Sequence, residues 1–140
     1  MSPEKFEINP RLLADGSILI DLELSTVILV DNSLFPWLIL VPRKNNLREL
    51  IDLSPKERIV LMDEISFISE LMLKEFSPHK LNVATLGNVV SQLHIHIIAR
   101  YEHDACWPAP VFGASKEPYK KDGLNELAKR LRIIINNENL

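Results

Sequence analysis

The chain has 140 residues, 46% of them hydrophobic and 25% charged, and carries a formal net charge of −3. That length suits one compact domain spanning residues 1–140 and is short for two, and the apolar share supports a packed core and argues against disorder. The mild negative balance, with no run of Lys and Arg, excludes a nucleic-acid backbone binder while leaving small anionic ligands open.

In chain order, residues 1–10 lack the charged-then-apolar layout of a signal peptide. No apolar stretch reaches the ~18 residues of a membrane span, so no membrane partner and a cytoplasmic location are expected. Asn9-Pro10 opens a turn, residues 11–14 suit one helical turn, and Asp15-Gly16 marks another turn before a strand over 17–20. Residues 26–30 and 37–41 are apolar and rich in branched side chains, with Asp31, Asn32, Ser33 and Pro36 between them, which predicts two neighbouring strands.

The spacing predicts a long helix over 54–76. Ser54 stands as the cap, Pro55 at the first helical position and Glu57 three residues after the cap. Ile59, Met62, Ile65, Ile68 or Phe67, Met72 and Phe76 recur at helical intervals. Residues 81–86 read as a strand, Gly87-Asn88 as a turn, and 89–100 as a second long strand. The single cysteine, Cys106, excludes an internal disulfide and a cysteine-built zinc site, and is taken as structural. Beyond the proline-rich stretch 107–110, residues 122–136 suit a terminal helix. Strands on both sides of one long helix predict an α+β fold, an antiparallel sheet of about five strands packed on that helix.

The chemistry concentrates in Gln92-Leu93-His94-Ile95-His96-Ile97-Ile98. If this is strand, Gln92, His94 and His96 share one face, about 6–7 Å apart, while Leu93, Ile95 and Ile97 enter the core. Three readings compete. The pattern could be the solvated face of an edge strand. It could be a His-x-His metal pair, although Glu102 is misplaced as a further ligand and no other cluster supplies the missing ones. Or an imidazole could act as a nucleophile on phosphorus, with a second imidazole assisting the leaving group and the Gly87-Asn88 turn offering backbone N–H groups to the phosphate.

This heptad resembles the motif of the histidine triad family, His-φ-His-φ-His-φ-φ with φ apolar, with Gln92 in the first position. The likeness runs from about Thr26 to Gly113. It takes in Asp31-Asn32, the strand ending at Pro42, the long helix, and Trp107-Pro108, which resembles a Trp-Pro of the nucleotide-binding branch. The resemblance implies a hydrolase of nucleotide conjugates, with dinucleoside polyphosphates such as diadenosine tetraphosphate as leading substrates. His94 would become nucleotidylated, and His96 and Gln92 would support it. Asp31, Asn32, Asn82, Gly87, Asn88 and Trp107 would contact the nucleotide. No metal is required, although magnesium can accompany a polyphosphate, and a homodimer is implied.

The alternatives are a nucleoside phosphoramidase, or a nucleotide-binding sensor with weak turnover, which Gln92 favours because an amide cannot titrate near neutral pH. Plainer roles stand beside these. Asp31 and Asn32 also suit a turn, Gln92 a solvent-facing strand position, and Trp107 a half-buried aromatic. Phe6, Leu13, Ile18 and Phe35 are candidates for a base pocket or for the core. Arg43 and Lys44 could attract a polyphosphate tail but better suit a solvated basic pair, and His79 and His103 take no assigned role.

Overall fold

The computed structural model describes residues 4–138. A short helix, α1 (Pro10–Ala14), precedes strands β1 (Gly16–Asp21), β2 (Ser25–Val30) and β3 (Trp37–Pro42). A single 3-10 turn (Leu50–Asp52) then leads into α2 (Pro55–Phe76), followed by β4 (Lys80–Ala84), β5 (Ile95–Arg100) and α3 (Gly123–Asn137). The strands form one antiparallel sheet in the order β1-β2-β3-β5-β4, with β5 inserted between β3 and β4. This is the α+β architecture that the sequence predicts.

Local chemistry explains where α2 begins. The Ser54 hydroxyl accepts from the Glu57 N–H at 3.2 Å, and the Glu57 carboxylate accepts in turn from the Ser54 N–H at 2.8 Å. Lys44 adds an ion pair to Glu57 at 2.8 Å. The helix ends at Ser77, which adopts a left-handed conformation (φ 44). At the opposite edge of the sheet, an added Cβ on Gly16 would sit 2.0 Å from the Leu29 carbonyl oxygen, so only glycine permits the close crossing of β1 and β2 there.

The two faces of the sheet have different work. One face, carrying Val27, Leu29, Leu38, Leu40, Ile95 and Ile97, packs beneath Leu61, Ile68, Leu71 and Met72 of α2 and Ala128, Leu131 and Ile135 of α3. Each such aliphatic side chain contributes roughly 1.5–3 kcal/mol on burial, which makes this layer the main source of stability. Arg132 of α3 ties the helix to β1 by donating to the Leu19 and Ile18 carbonyls at 2.9 and 2.6 Å. The other face carries Ile28, Val30, Ile39 and Val41, joined by Leu12 of α1 and Val90. Ile98, Phe35 and Val111 form a small cluster of their own.

Two expectations need correction. The strand predicted over 89–100 begins only at Ile95. The pairing ends there: β4 stops at Ala84, opposite His96, and the last pair with β3 is Leu40–Ile95, although β3 itself runs on to Pro42 beside β2. Residues 89–94 diverge from β3, and the Leu93 N–H donates instead to the Leu47 carbonyl at 3.0 Å. Within α2, Ile59 and Met62 are exposed, and Leu61 and Leu71 take the buried stripe in their place. Among the described residues no helix is long and apolar enough to cross a membrane.

Candidate active site

Antiparallel pairing sets Ile39 of β3 opposite His96 of β5, and Trp37 opposite Ile98. All four therefore share the face turned away from α2. The chain from Leu86 to Val90 and the segment from Val111 to Ala114 wall this face in, leaving a cavity of about 660 Å³ with His94 and His96 in its lining. Its remaining lining is mostly aliphatic, with Arg11, Asp15 and Lys116 as its other ionisable side chains. Lys116 and Asp15 form an ion pair at 3.5 Å.

The two imidazoles stand edge to face with centroids 4.9 Å apart, and both are buried. Nδ1 of His94 lies 2.7 Å from the main-chain carbonyl of Gln92. A carbonyl only accepts, so Nδ1 carries a proton, and in the neutral ring the lone pair is on Nε2. His96 is the reverse case. The indole Nε1–H of Trp37 donates to Nδ1 of His96 at 3.0 Å, which leaves the ring proton of His96 on Nε2. Burial, reinforced by the neighbouring His94 ring, pushes the His96 pKa down to about 4, so the ring is neutral at pH 7. Neither Nε2 has a protein partner among the described residues, and neither is sealed off from the cavity.

The cavity gathers His94, His96, Asn32, Gly87 and Asn88 of the residues singled out in the sequence. Gly87 takes a left-handed turn there (φ 70). Asn32 is buried, and its Oδ1 accepts from the Leu34 N–H at 3.1 Å. Four candidates are placed elsewhere. The Gln92 amide points into a different groove, accepting from the Asn9 N–H at 2.8 Å and donating to the Glu7 carbonyl at 2.9 Å. The expected alignment of Gln92 with the histidines fails because residues 92–94 all precede β5, where strict alternation no longer applies, and Asn9 and Glu7 hold the Gln92 amide away while His94 turns to the cavity. Asp31 does not line the cavity, and its carboxylate accepts from the Tyr119 N–H at 2.9 Å.

Asn82 and Trp107 belong to a buried cluster around Arg100. The guanidinium donates to Asp104 at 2.8 Å, to Asn82 Oδ1 at 2.8 Å and to the Ala109 carbonyl at 2.8 Å. Trp107 lies 5.6 Å from the guanidinium carbon. This pairing holds the Asp104 carboxyl down to about 2. Asp104 also accepts from the N–H groups of Tyr101, Cys106 and Trp107, so the pair organises the chain that leads back to the cavity at Val111. Phe6, Leu13, Ile18 and Phe35 do not line the cavity either. Trp37 and Phe112 do, and neither was singled out for it. Trp37 sits in phase with Ile39 along β3, a signal that becomes useful only once β3 is known to pair with β5.

The sequence pattern of the HIT domain matches residues 12–103, which contain all five strands, α2 and both histidines. A histidine triad protein from Bradyrhizobium japonicum is 38% identical. It superposes with a TM-score of 0.88 over 93% of this chain and 98% of its own. The chain belongs to the histidine triad (HIT) family. A histidine triad protein from Marinobacter aquaeolei has 37% identity and a TM-score of 0.90, over 95% of this chain and 98% of that one. The diadenosine triphosphate hydrolase of Plasmodium falciparum, solved with cyclomarin A, shares the HIT fold at 22% identity. Its TM-score is 0.68, over 99% of this chain and 88% of its own. No curated protein sequence matches significantly. Within the HIT domain of this chain, no group of three or more His, Cys, Asp or Glu is placed to hold a metal ion among the described residues.

Proposed function

We propose that this HIT protein hydrolyses nucleotide conjugates, dinucleoside polyphosphates such as diadenosine tetraphosphate first among them, through a nucleotidyl-His94 intermediate. The observation that carries the reading is the bond from His94 Nδ1–H to the Gln92 carbonyl, which in the neutral ring leaves the lone pair on Nε2 of a side chain that lines the cavity. A neutral imidazole with a free lone pair attacks phosphorus without first losing a proton.

In the first step the Nε2–P bond forms and the bond from phosphorus to the leaving oxygen breaks, its electron pair departing with the leaving nucleotide. The His94 ring becomes cationic as it is nucleotidylated, and the Gln92 carbonyl stabilises that charge through Nδ1–H. His96 Nε2–H donates to the departing oxygen. Water then attacks phosphorus and gives up a proton to solvent, the P–N bond breaks, and Nε2 recovers its electron pair as the nucleoside monophosphate leaves. Asn32 and the Gly87-Asn88 turn supply polar contacts in the same cavity, and its aliphatic walls receive the nucleoside. Much of the acceleration comes from orientation and fixed hydrogen bonds.

A homodimer belongs to the same proposal. Ile59, Met62 and Leu73 are exposed large apolar side chains on α2, and Val83 is another on the edge strand β4. Such a surface is costly to leave in water and suits a second copy.

The test is AMP release from diadenosine tetraphosphate and, separately, from an AMP–amine conjugate, by wild type and by His94→Ala. Cleavage by wild type that falls by ~10³-fold or more in the variant supports the mechanism. Tight AMP binding without cleavage of either compound replaces it with a nucleotide-binding role.

A further inference from the structure

We infer that Trp37 is a positioning residue that keeps His96 an uncharged N–H donor, and that the site therefore cleaves phosphorus from leaving groups that depart as stable anions and not from amines. This rests on the hydrolase reading above and narrows its substrate class.

The indole N–H can only donate, and it lies 3.0 Å from His96 Nδ1. Protonating Nδ1 would set two N–H groups against each other at that distance, so an imidazolium at position 96 requires the bond to break. The indole has little room to swing away. Its ring meets that of His96 edge to face at 5.6 Å, and Phe112 packs against both, at 5.8 Å from the indole and 4.9 Å from the imidazole. Among the described residues no carboxylate is ion-paired with His96, and Asp15, the carboxylate lining the cavity, is paired with Lys116. His94 is its ionisable ring neighbour, and the other charged groups lining the cavity are Arg11, Asp15 and Lys116.

The consequence follows from the leaving group. When a P–O bond of a polyphosphate breaks, the electron pair stays on a phosphate oxygen that is stable as an anion, and a hydrogen bond from His96 Nε2–H suffices. When a P–N bond breaks, the nitrogen must gain a proton, because an amide anion is far too basic to leave. A neutral imidazole does not deliver one readily. General-acid help is worth ~10²–10⁴-fold in rate, and amine conjugates forgo it here. Their kcat/KM is expected to fall at least ~10²-fold below that of diadenosine tetraphosphate.

The experiment replaces Trp37 with β-(3-benzothienyl)alanine, which keeps the ring shape and has no N–H, beside Trp37→Phe. Two quantities are read: the ring ¹⁵N shifts of His96 at pH 7, and kcat/KM for AMP aryl esters of graded phenol acidity together with the two conjugates. Wild type should show a single Nε2–H tautomer and a steep fall of kcat/KM with rising phenol pKa. Both variants should show mixed tautomers, and the preference for anhydride over amine should shrink by ~10-fold or more. An imidazolium or Nδ1–H form in wild type, a flat leaving-group dependence, or equal rates on the two conjugates overturns the inference. If no substrate at all is cleaved, the hydrolase reading fails, and the ¹⁵N shifts still decide whether Trp37 fixes the tautomer.

Discussion

The backbone carbonyl of Gln92 and the imidazole of His94 are joined by a 2.7 Å hydrogen bond at Nδ1, while the Gln92 side chain turns the other way, to Asn9 and Glu7. The residue in the first triad position thus holds His94, the proposed nucleophile, through its main chain. Gln92→Ala should therefore leave kcat within about threefold of wild type, since the carbonyl is common to every residue type. Loss of the two side-chain bonds should cost about 1–3 kcal/mol of stability, measured by urea unfolding. A large loss of kcat with stability unchanged would show that the amide itself serves the chemistry.

Stability should respond to acid in two separate windows. His96 has a folded pKa near 4, below its ordinary 6.5, so the unfolded chain binds the proton more readily. Stability falls as pH drops from about 6.5 to 4, by roughly 3 kcal/mol, and then levels. Asp104 behaves as a paired carboxylate, its pKa lowered from 3.8 to about 2. Its contribution is full above pH 4 and is lost as pH falls towards 2. Urea midpoints collected between pH 7 and 4 should flatten in His96→Gln, and an unchanged slope in that variant would contradict the assignment.

Asp104→Ala leaves the Arg100 guanidinium buried without its carboxylate, since both side chains are almost fully enclosed. A loss of about 3–5 kcal/mol is expected, well beyond what a surface ion pair contributes. In a stabilising buffer, any folded variant should show a raised KM, because the chain from Asp104 to Val111 carries one wall of the cavity. Unfolding curves and steady-state kinetics check the two effects.

Met62→Glu, alone or with Ile59→Glu, places charge on the exposed apolar stripe of α2. Light scattering should report a dimer for wild type and a monomer for the double variant, with little change in unfolding of the isolated chain. A monomeric wild type would remove the dimer from the proposal.

The fold was largely legible because its signals are local. Ser54, Pro55 and Glu57 declare a helix start, and the unbroken apolar runs of β2 and β3 declare buried central strands. His94 and His96 could be read from the heptad for the same reason. What escaped depends on partners distant in sequence. The start of β5 is set by the end of β4 at Ala84 and by the bond that draws Leu93 to Leu47, which alternation within residues 89–100 cannot reveal. Trp37 reaches His96 across 59 positions, and Asn82 is drawn to Arg100 by a buried charge that no nearby residue announces. The outer stripe of α2 has the helical spacing of a core face, and periodicity alone does not say which stripe meets the sheet.

The most direct measurement is to mix the protein with diadenosine tetraphosphate, quench in alkali within the first turnovers, and map any nucleotidyl adduct by mass spectrometry. Alkali preserves a phosphorus–nitrogen bond long enough for peptide analysis. An AMP group on the peptide containing His94, absent in His94→Ala together with AMP release, is the expected result. Undiminished AMP release by a folded His94→Ala variant would contradict nucleophilic catalysis by this residue.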